Sequence, residues 1–353
     1  MTIIYFLILL TVIICLHEAG HLIAAKVFGV YCYEYSFGMG PLLLKFKPKE
    51  TQYSLRLIPI GGYVAMAGES DTEEGYEDIE VPKGRYLTDK PTWQRLIILL
   101  AGVTMNFLLC YFILTGIVLH NGAFALPPSA RIVEVVSESP AEKAGLQAGD
   151  VITAFTANGE TQKVKDFQEL ETYLLLLDTP DVDITVDRNG ETLTLHAKLD
   201  YIKEEQRYRI GIQGEGYQYV KVNLGNCWYF GAKEMAYFAS MLMAGLRSIL
   251  SGHNLDQVSG PVGIYSATEQ SVSYGMRGFL ILMAELSLNI GIMNLLPLPV
   301  LDGGQVVITL GEAIVGKKLN DKVKIALMAV CWALLISLML FVTWNDISRL
   351  IGK

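Results

Sequence analysis

The sequence predicts an α-helical membrane protein of four spans, with a membrane-associated β-hairpin and one α/β domain outside the bilayer. Three observations lead there. The 353 residues are 52% hydrophobic and only 18% charged, whereas a soluble domain runs nearer about 25% charged. The apolar excess is concentrated in four stretches. Between the second and third lies a long segment with the strand and turn signals of a globular fold. The length leaves room for two modest domains. The net charge of −8 argues against nucleic acid as a partner, while leaving a lipid bilayer as the natural one.

The first stretch, Thr2 to Leu16 with the shorter run Leu22 to Phe28, reads as a span rather than a signal peptide. No Lys or Arg precedes it, and a His-Glu-x-x-His run sits where cleavage would fall. The second, Leu96 to Leu119, has 24 residues and no formal charge. The third, Gly278 to Leu298, is interrupted by Glu285, and the fourth, Ile325 to Trp344, is uncharged. About 20 apolar residues cross a bilayer core. Positive charge fixes the orientation. Lys26, Lys45, Lys47, Lys49, Arg56, Lys83, Arg85, Lys90 and Arg95 fall between spans one and two, and Lys317, Lys318, Lys322 and Lys324 between spans three and four. Those loops are expected in the cytoplasm, with both termini and the segment Asn121 to Arg277 outside.

In that outer segment Ala130 to Val136 is β-rich, and Ser137 to Ile152 reads as a turn, a short helix closed by Gly145 and a strand. Asp166 caps a helix over Asp166 to Leu177. Asn189-Gly190 joins Val182–Arg188 to Glu191–Leu199 as a hairpin. Trp228 to Ser251 is apolar and helical, with Lys233, Glu234 and Arg247 near its ends; an interfacial amphipathic helix fits the charge-derived topology better than a fifth span. Of the five cysteines, Cys15, Cys110 and Cys331 lie in apolar runs, so buried thiols are expected rather than a disulfide framework.

The chemistry is concentrated in His17-Glu18-Ala19-Gly20-His21. Positions i and i+4 of a helix share one face, so His17 and His21 can hold one Zn²⁺ while Glu18 reaches the water on it. The metal lowers the pKa of that water toward about 7, and Glu18 takes its proton as general base. Such residues in an apolar helix are costly without a partner; the plainer reading places them at the cytoplasmic end of a short span. A third ligand is needed, and Asp302, after the third span, is the candidate at matching depth; its plain alternative is a helix cap before Gly303-Gly304. Asn289 and Asn294, late in the third span, either bond a substrate backbone or another helix. Cleaving a helix in a membrane requires unwinding it, and a sheet edge can hold the extended strand. Tyr53 to Met66, turning at Gly61-Gly62, is a candidate membrane-dipping hairpin, and Phe37 to Pro41 a second tight loop; a simple cytoplasmic hairpin is the alternative for both.

With HEAGH at 17–21, FGMGP at 37–41, PIGGYVAM at 59–66, PTWQRLIILLAGVTMNF at 91–107, SGPVGI at 259–264 and NIGIMNLLPLPVLDGG at 289–304, the chain resembles the site-2 protease family of intramembrane zinc metalloproteases, in its bacterial RseP/RasP form. SPAEKAGLQAGDVI at 139–152 resembles a PDZ domain. The resemblance implies one Zn²⁺ per chain on His17, His21 and Asp302, Glu18 as catalytic base, and substrate contacts from Asn289, Asn294 and the β-hairpin around Gly61 and Gly62. It implies regulated cleavage of single-span membrane proteins such as anti-sigma factors, or of remnant signal peptides. It also implies a cell-membrane location, an active site near the cytoplasmic side, and an extracytoplasmic PDZ domain that restricts access and takes a peptide ligand. If that domain is circularly permuted, its peptide-binding strand is expected near Arg209 to Gln213. The chain has room for one PDZ domain where some relatives have two, and Gln305 stands where some have His. The expected division is residues 1–29, the first span with HExxH; 30–91, the re-entrant β-loop region; 92–120, the second span; 121–216, the PDZ domain; 217–275, the interfacial helix and linker; 276–304, the third span with LDGG; and 322–346, the fourth span. The competing readings are a membrane-anchored PDZ adaptor with a vestigial metal site, and a small transporter with ion-binding polar residues in broken helices.

Overall fold

The computed structural model describes residues 1–69, 75, 76, 78–202, 207–250, 258 and 260–351. The chain divides into two compact units, residues 1–114 with 258–353, and residues 115–257.

Among the described residues, four helices are long and apolar enough to cross a membrane: α1 (Thr2–Val27), α2 (Thr92–Asn121), α7 (Met276–Asn294) and most of α9 (Asp321–Ile351). In the first unit α1 and α7 pack through Leu9, Ile13, Phe279, Leu282 and Met283, joined by Leu109 and Ile113 of α2. Two further helices complete this unit, α6 (Pro261–Ser273) and α8 (Asp302–Val315). The helix of the third span ends at Asn294, ahead of Pro297 and Pro299. Neither proline can donate a helical hydrogen bond, and Asp302 begins a new helix.

Between α1 and α2 the chain builds a sheet from β1 (Cys32–Phe46) and β2 (Gln52–Met66). The expected turn at Gly61-Gly62 does not form. Strand β2 runs through both glycines, Gly61 at φ +87°, and its partner is β1. Each strand bends and serves twice. Leu42–Phe46 lies against Tyr53–Arg56, Tyr35 is opposite both Tyr53 and Val64, and Phe37 is opposite both Leu55 and Gly62. The Phe37–Pro41 run is the bend in β1, with Gly38 and Gly40 at positive φ, rather than a separate loop. The segment Gly62–Met66 therefore forms one outer edge. Behind it Glu34 is 2% exposed and accepts from Arg56 Nη2 at 2.8 Å and from the Tyr76 hydroxyl. Burial pushes this carboxyl up, but hydrogen bonds from Tyr76, Ser54 and Arg56 outweigh it and hold it below the ordinary range. Phe37, Met39, Leu42, Leu43, Leu44, Phe46, Leu55, Leu57 and Ile58 are exposed at and beside the strand bends and along the Leu42–Phe46 edge, opposite Gly62–Met66. An apolar patch of this extent marks a surface made for lipid or for a partner.

The second unit has a four-stranded sheet in the order β6 (Glu160–Lys163), β5 (Val151–Ala157), β7 (Asp181–Arg188), β8 (Glu191–Lys198). Its core gathers Ile132, Ile152, Phe155, Leu170 and Ile184. Asn189 and Gly190, both at positive φ, make the β7–β8 turn. Ser139 and Asp166 cap α3 (Pro140–Lys143) and α4 (Phe167–Leu175), accepting from Glu142 N and Glu169 N. The stretch Arg209 to Gln213 is not one strand: Gly211, at φ +83°, separates β10 (Arg207–Arg209) from β11 (Ile212–Gly214). The Phe167 ring packs directly on Gly214. Helix α5 (Cys227–Leu250) begins at a small core of Val118, Val222, Cys227 and Phe230.

Candidate active site

The one-face spacing of His17 and His21 on α1 brings their Nε2 atoms 3.3 Å apart. Both imidazoles are buried, 7% and 6% exposed. Asp302, the first residue of α8, reaches the same point. Its Oδ2 is 3.1 Å from His17 Nε2 and 3.5 Å from His21 Nε2. The capping alternative for Asp302 fails: Leu301 holds the N-cap position, and no side-chain cap bond is made there.

Asp302 arrives because of what precedes and follows it. A Cβ on Gly303 would collide with the carbonyls of Leu295 and Leu296, and one on Gly304 with that of Leu298. Only glycines let α8 start tucked beneath the Leu295–Leu301 turn. Gln305 Nε2 donates to Pro299 O at 2.6 Å and clamps the turn.

The residues fit a tetrahedral cation. Asp302 Oδ2 is buried and accepts no hydrogen bond although two imidazole nitrogens stand beside it. The three donor atoms converge within 4.8 Å of one another. Metal–ligand bonds of about 2.0–2.1 Å in a tetrahedron require edges of about 3.3–3.4 Å. The three measured separations, 3.1, 3.3 and 3.5 Å, bracket that value. Orientation is also right at His21, whose Nδ1–H donates to the Ile98 carbonyl at 2.8 Å. A neutral imidazole protonated at Nδ1 turns its Nε2 lone pair to the centre.

Glu18 lies beside the outer sheet edge, with the Val64 backbone next to its carboxylate. His17, Glu18, His21, Asp302, Tyr63 and Val64 share the wall of a cavity of about 580 Å³. Gly61 and Gly62 precede Tyr63, Val64 and Met66, the edge residues that line it; a Cβ on Gly62 would stand 2.7 Å from Ser36 O, so the sheet is pressed tight there. Asn294 Nδ2 lies 3.3 Å from His17 Nε2. Asn289 is not brought to the centre and bonds no described side chain. Five residues along an α-helix is a rotation of about 140°, so the two amides cannot serve one point.

Helix α2 contributes what the motif alone did not reveal. A Cβ on Gly102 would strike His21 Nε2 and the His17 ring, and a Cβ on Gly20 would strike the Ala101 carbonyl. Asn106, fully buried, places its Nδ2 3.3 Å from His17 Nδ1. A lone amide within the apolar run Leu96 to Leu119 was the available signal.

Residues 5–338 match the family described as Peptidase family M50. The chain is 33% identical over 425 residues to the zinc metalloprotease RasP of Shouchella clausii, covering 99% of each. It is 30% identical over 423 residues to the regulator of sigma-W protease RasP of Bacillus subtilis, again covering 99% of each. A solved PDZ domain of an SdrC-like protein from Listeria innocua aligns with 26% of this chain and 97% of its own, at 25% identity and a TM-score of 0.22. A family match across nearly the whole length, with relatives at 30–33% identity covered to 99%, leaves one assignment: the chain belongs to peptidase family M50, the site-2 proteases.

Proposed function

We propose that this chain is a zinc endopeptidase that cleaves single-span membrane proteins within the bilayer, with His17, His21 and Asp302 holding the metal and Glu18 as general base. One observation carries the reading: three converging metal-ligand atoms share a cavity with a carboxylate at an open sheet edge, in a unit built of membrane-length helices.

Zinc bound there supplies Lewis acidity, polarising the scissile carbonyl and bringing the pKa of a water near about 7. The residues do the rest. An extended substrate segment adds to the edge Gly62–Met66, exchanging its internal helical hydrogen bonds for bonds to that strand. Glu18 takes the proton of the attacking water and returns it to the departing amine. Asn294 directs an N–H at the centre, where a developing oxyanion gains a donor. The apolar part of the β1–β2 sheet sits in the bilayer and brings the edge to membrane depth.

The charge distribution of the loops supports a site near the cytoplasmic face of the cell membrane, with residues 121–216 outside as a PDZ domain that screens substrates and takes a peptide ligand. The Bacillus subtilis relative is named as a regulator of sigma-W. That favours anti-sigma factors as the substrate class, with remnant signal peptides the other class of the same shape. The test is Glu18→Gln in native membranes with a single-span reporter. Cleavage is expected to disappear while zinc stays bound; full cleavage by the variant overturns the mechanism.

A further inference from the structure

Helix α2 presents three successive turns to the imidazoles, at spacing i, i+4 and i+8. The Ile98 carbonyl takes the Nδ1–H of His21, Gly102 leaves room for both rings, and Asn106 faces Nδ1 of His17. Each element acts on the orientation of a ring rather than on a substrate.

Asn106 is held firmly. Its backbone carbonyl accepts from Ser287 Oγ at 2.9 Å, and a Cβ on Gly291 would stand 3.4 Å from its own Cβ. Its Nδ2 faces His17, while its Oδ1 is buried with no hydrogen-bond partner. That arrangement suits a His17 with a bare Nδ1. It does not suit a His17 that binds a cation. Once Nε2 gives its lone pair to a metal, the neutral ring carries its proton on Nδ1, and that proton needs an acceptor. A half-turn of the amide about χ2 exchanges Oδ1 with Nδ2 in nearly the same space.

We propose that Asn106 is a positioning residue for His17: in the metal-holding state its Oδ1 accepts the Nδ1–H of His17 and fixes the tautomer that turns Nε2 to the centre. The proposal rests on the zinc reading given above. Both ring-orienting acceptors then come from one face of α2, a main-chain carbonyl for His21 and a side-chain carbonyl for His17. The amide half-turn ties the proton position on His17 to occupation of the site.

The test compares the full-length wild type, Asn106→Leu and Asn106→Asp in detergent, loaded with zinc and titrated with a competing chelator. Asn106→Leu keeps the bulk and removes the acceptor; it is expected to weaken zinc binding about 10- to 100-fold. Asn106→Asp keeps an acceptor, as in carboxylate–histidine–zinc arrangements, and is expected to stay within about threefold of the wild type. An Asn106→Leu variant that holds zinc as tightly as the wild type overturns the proposal, and a wild type that binds no zinc overturns the reading beneath it. Should Asn106→Leu fail to fold, nitrogen-15 spectra of histidine-labelled, zinc-loaded wild type decide, with His17 identified by its own variant. A protonated Nδ1 on His17 supports the proposal, and a bare Nδ1 overturns it.

Discussion

Asp346, near the end of α9, caps the start of α6: its Oδ2 accepts from Gly260 N–H at 2.9 Å and Gly263 N–H at 2.8 Å. Asp346 is 4% exposed, and a Cβ on Gly260 would stand 3.0 Å from the same oxygen. Helix α6 has no capping side chain of its own, so the orphan amides of its first turn depend on a residue 86 positions away. This gives the Gly-Pro-Val-Gly run a physical meaning. Asp346→Ala leaves two amide donors, one buried and one part-buried, without their acceptor and is expected to cost about 1–3 kcal/mol. Asp346→Asn, which still offers one acceptor, is expected to cost less. Thermal unfolding in detergent measures the order; equal stability of the alanine variant and the wild type refutes it.

Gly102 is expected to be as sensitive as a ligand although it binds nothing. An added methyl group must displace the His21 and His17 rings, because the obstruction is the rings themselves. Displacement of a reacting group by about 1 Å costs on the order of 100-fold in rate. Gly102→Ala is therefore expected to lose at least about that much cleavage, with folding and membrane insertion retained. Gly116→Ala in the same helix meets nothing within 4 Å and serves as the control. Cleavage of a reporter by Gly102→Ala at the control's rate would sink the idea.

These two relationships show which parts of the molecule the sequence could reveal. His17, Glu18 and His21 are local: helical periodicity alone places the two imidazoles on one face, and the need for a third ligand points on to Asp302. The four apolar helices are legible for the same reason, since composition over a continuous window settles them. The acceptor for His21 was not legible, because a main-chain carbonyl leaves no mark in the residue type of Ile98. Nor was the path of β2. Gly61-Gly62 reads as a turn by propensity, but pairing of Gly62 with Phe37 of β1 overrides propensity, and Gly62 serves close packing against Ser36. Asn289 and Asn294 look equivalent until the helix rotation between them is counted.

In the second unit, stability is tied to pH through Asp150. Its carboxylate, 1% exposed, accepts from Arg188 Nε at 2.7 Å and Nη2 at 2.8 Å, and from Gln147 N. Arg188 holds the carboxyl below the usual carboxylate range, against the opposing effect of burial. A depressed folded pKa makes a contribution that is complete above the unfolded value, about 3.9. It fades as pH falls through the folded value. The wild type is thus expected to lose its stability advantage over Asp150→Asn as pH drops from about 5 toward 3, the two converging in acid. Thermal unfolding of both proteins across that range measures it. A difference independent of pH would refute the ion pair as its source.

The exposed apolar part of the β1–β2 sheet offers the sharpest separation between chemistry and membrane access. Leu44, Phe46 and Leu57 are 67%, 67% and 56% exposed, and none of them lines the metal-site cavity. If water surrounded this surface, a carboxylate there would be harmless. In a bilayer each one costs roughly 3 kcal/mol by insertion scales. Leu44→Asp combined with Leu57→Asp is therefore expected to lift the sheet edge away from membrane depth. Zinc binding should be unchanged, since no ligand or ring-orienting group is touched. Cleavage of a membrane-embedded reporter should fall at least about tenfold, the equivalent of 1.4 kcal/mol, while cleavage of the same segment as a detergent-solubilised peptide should fall far less. Equal loss on both substrates would place the fault in the catalytic centre, and no loss on either would mean that the sheet works outside the bilayer.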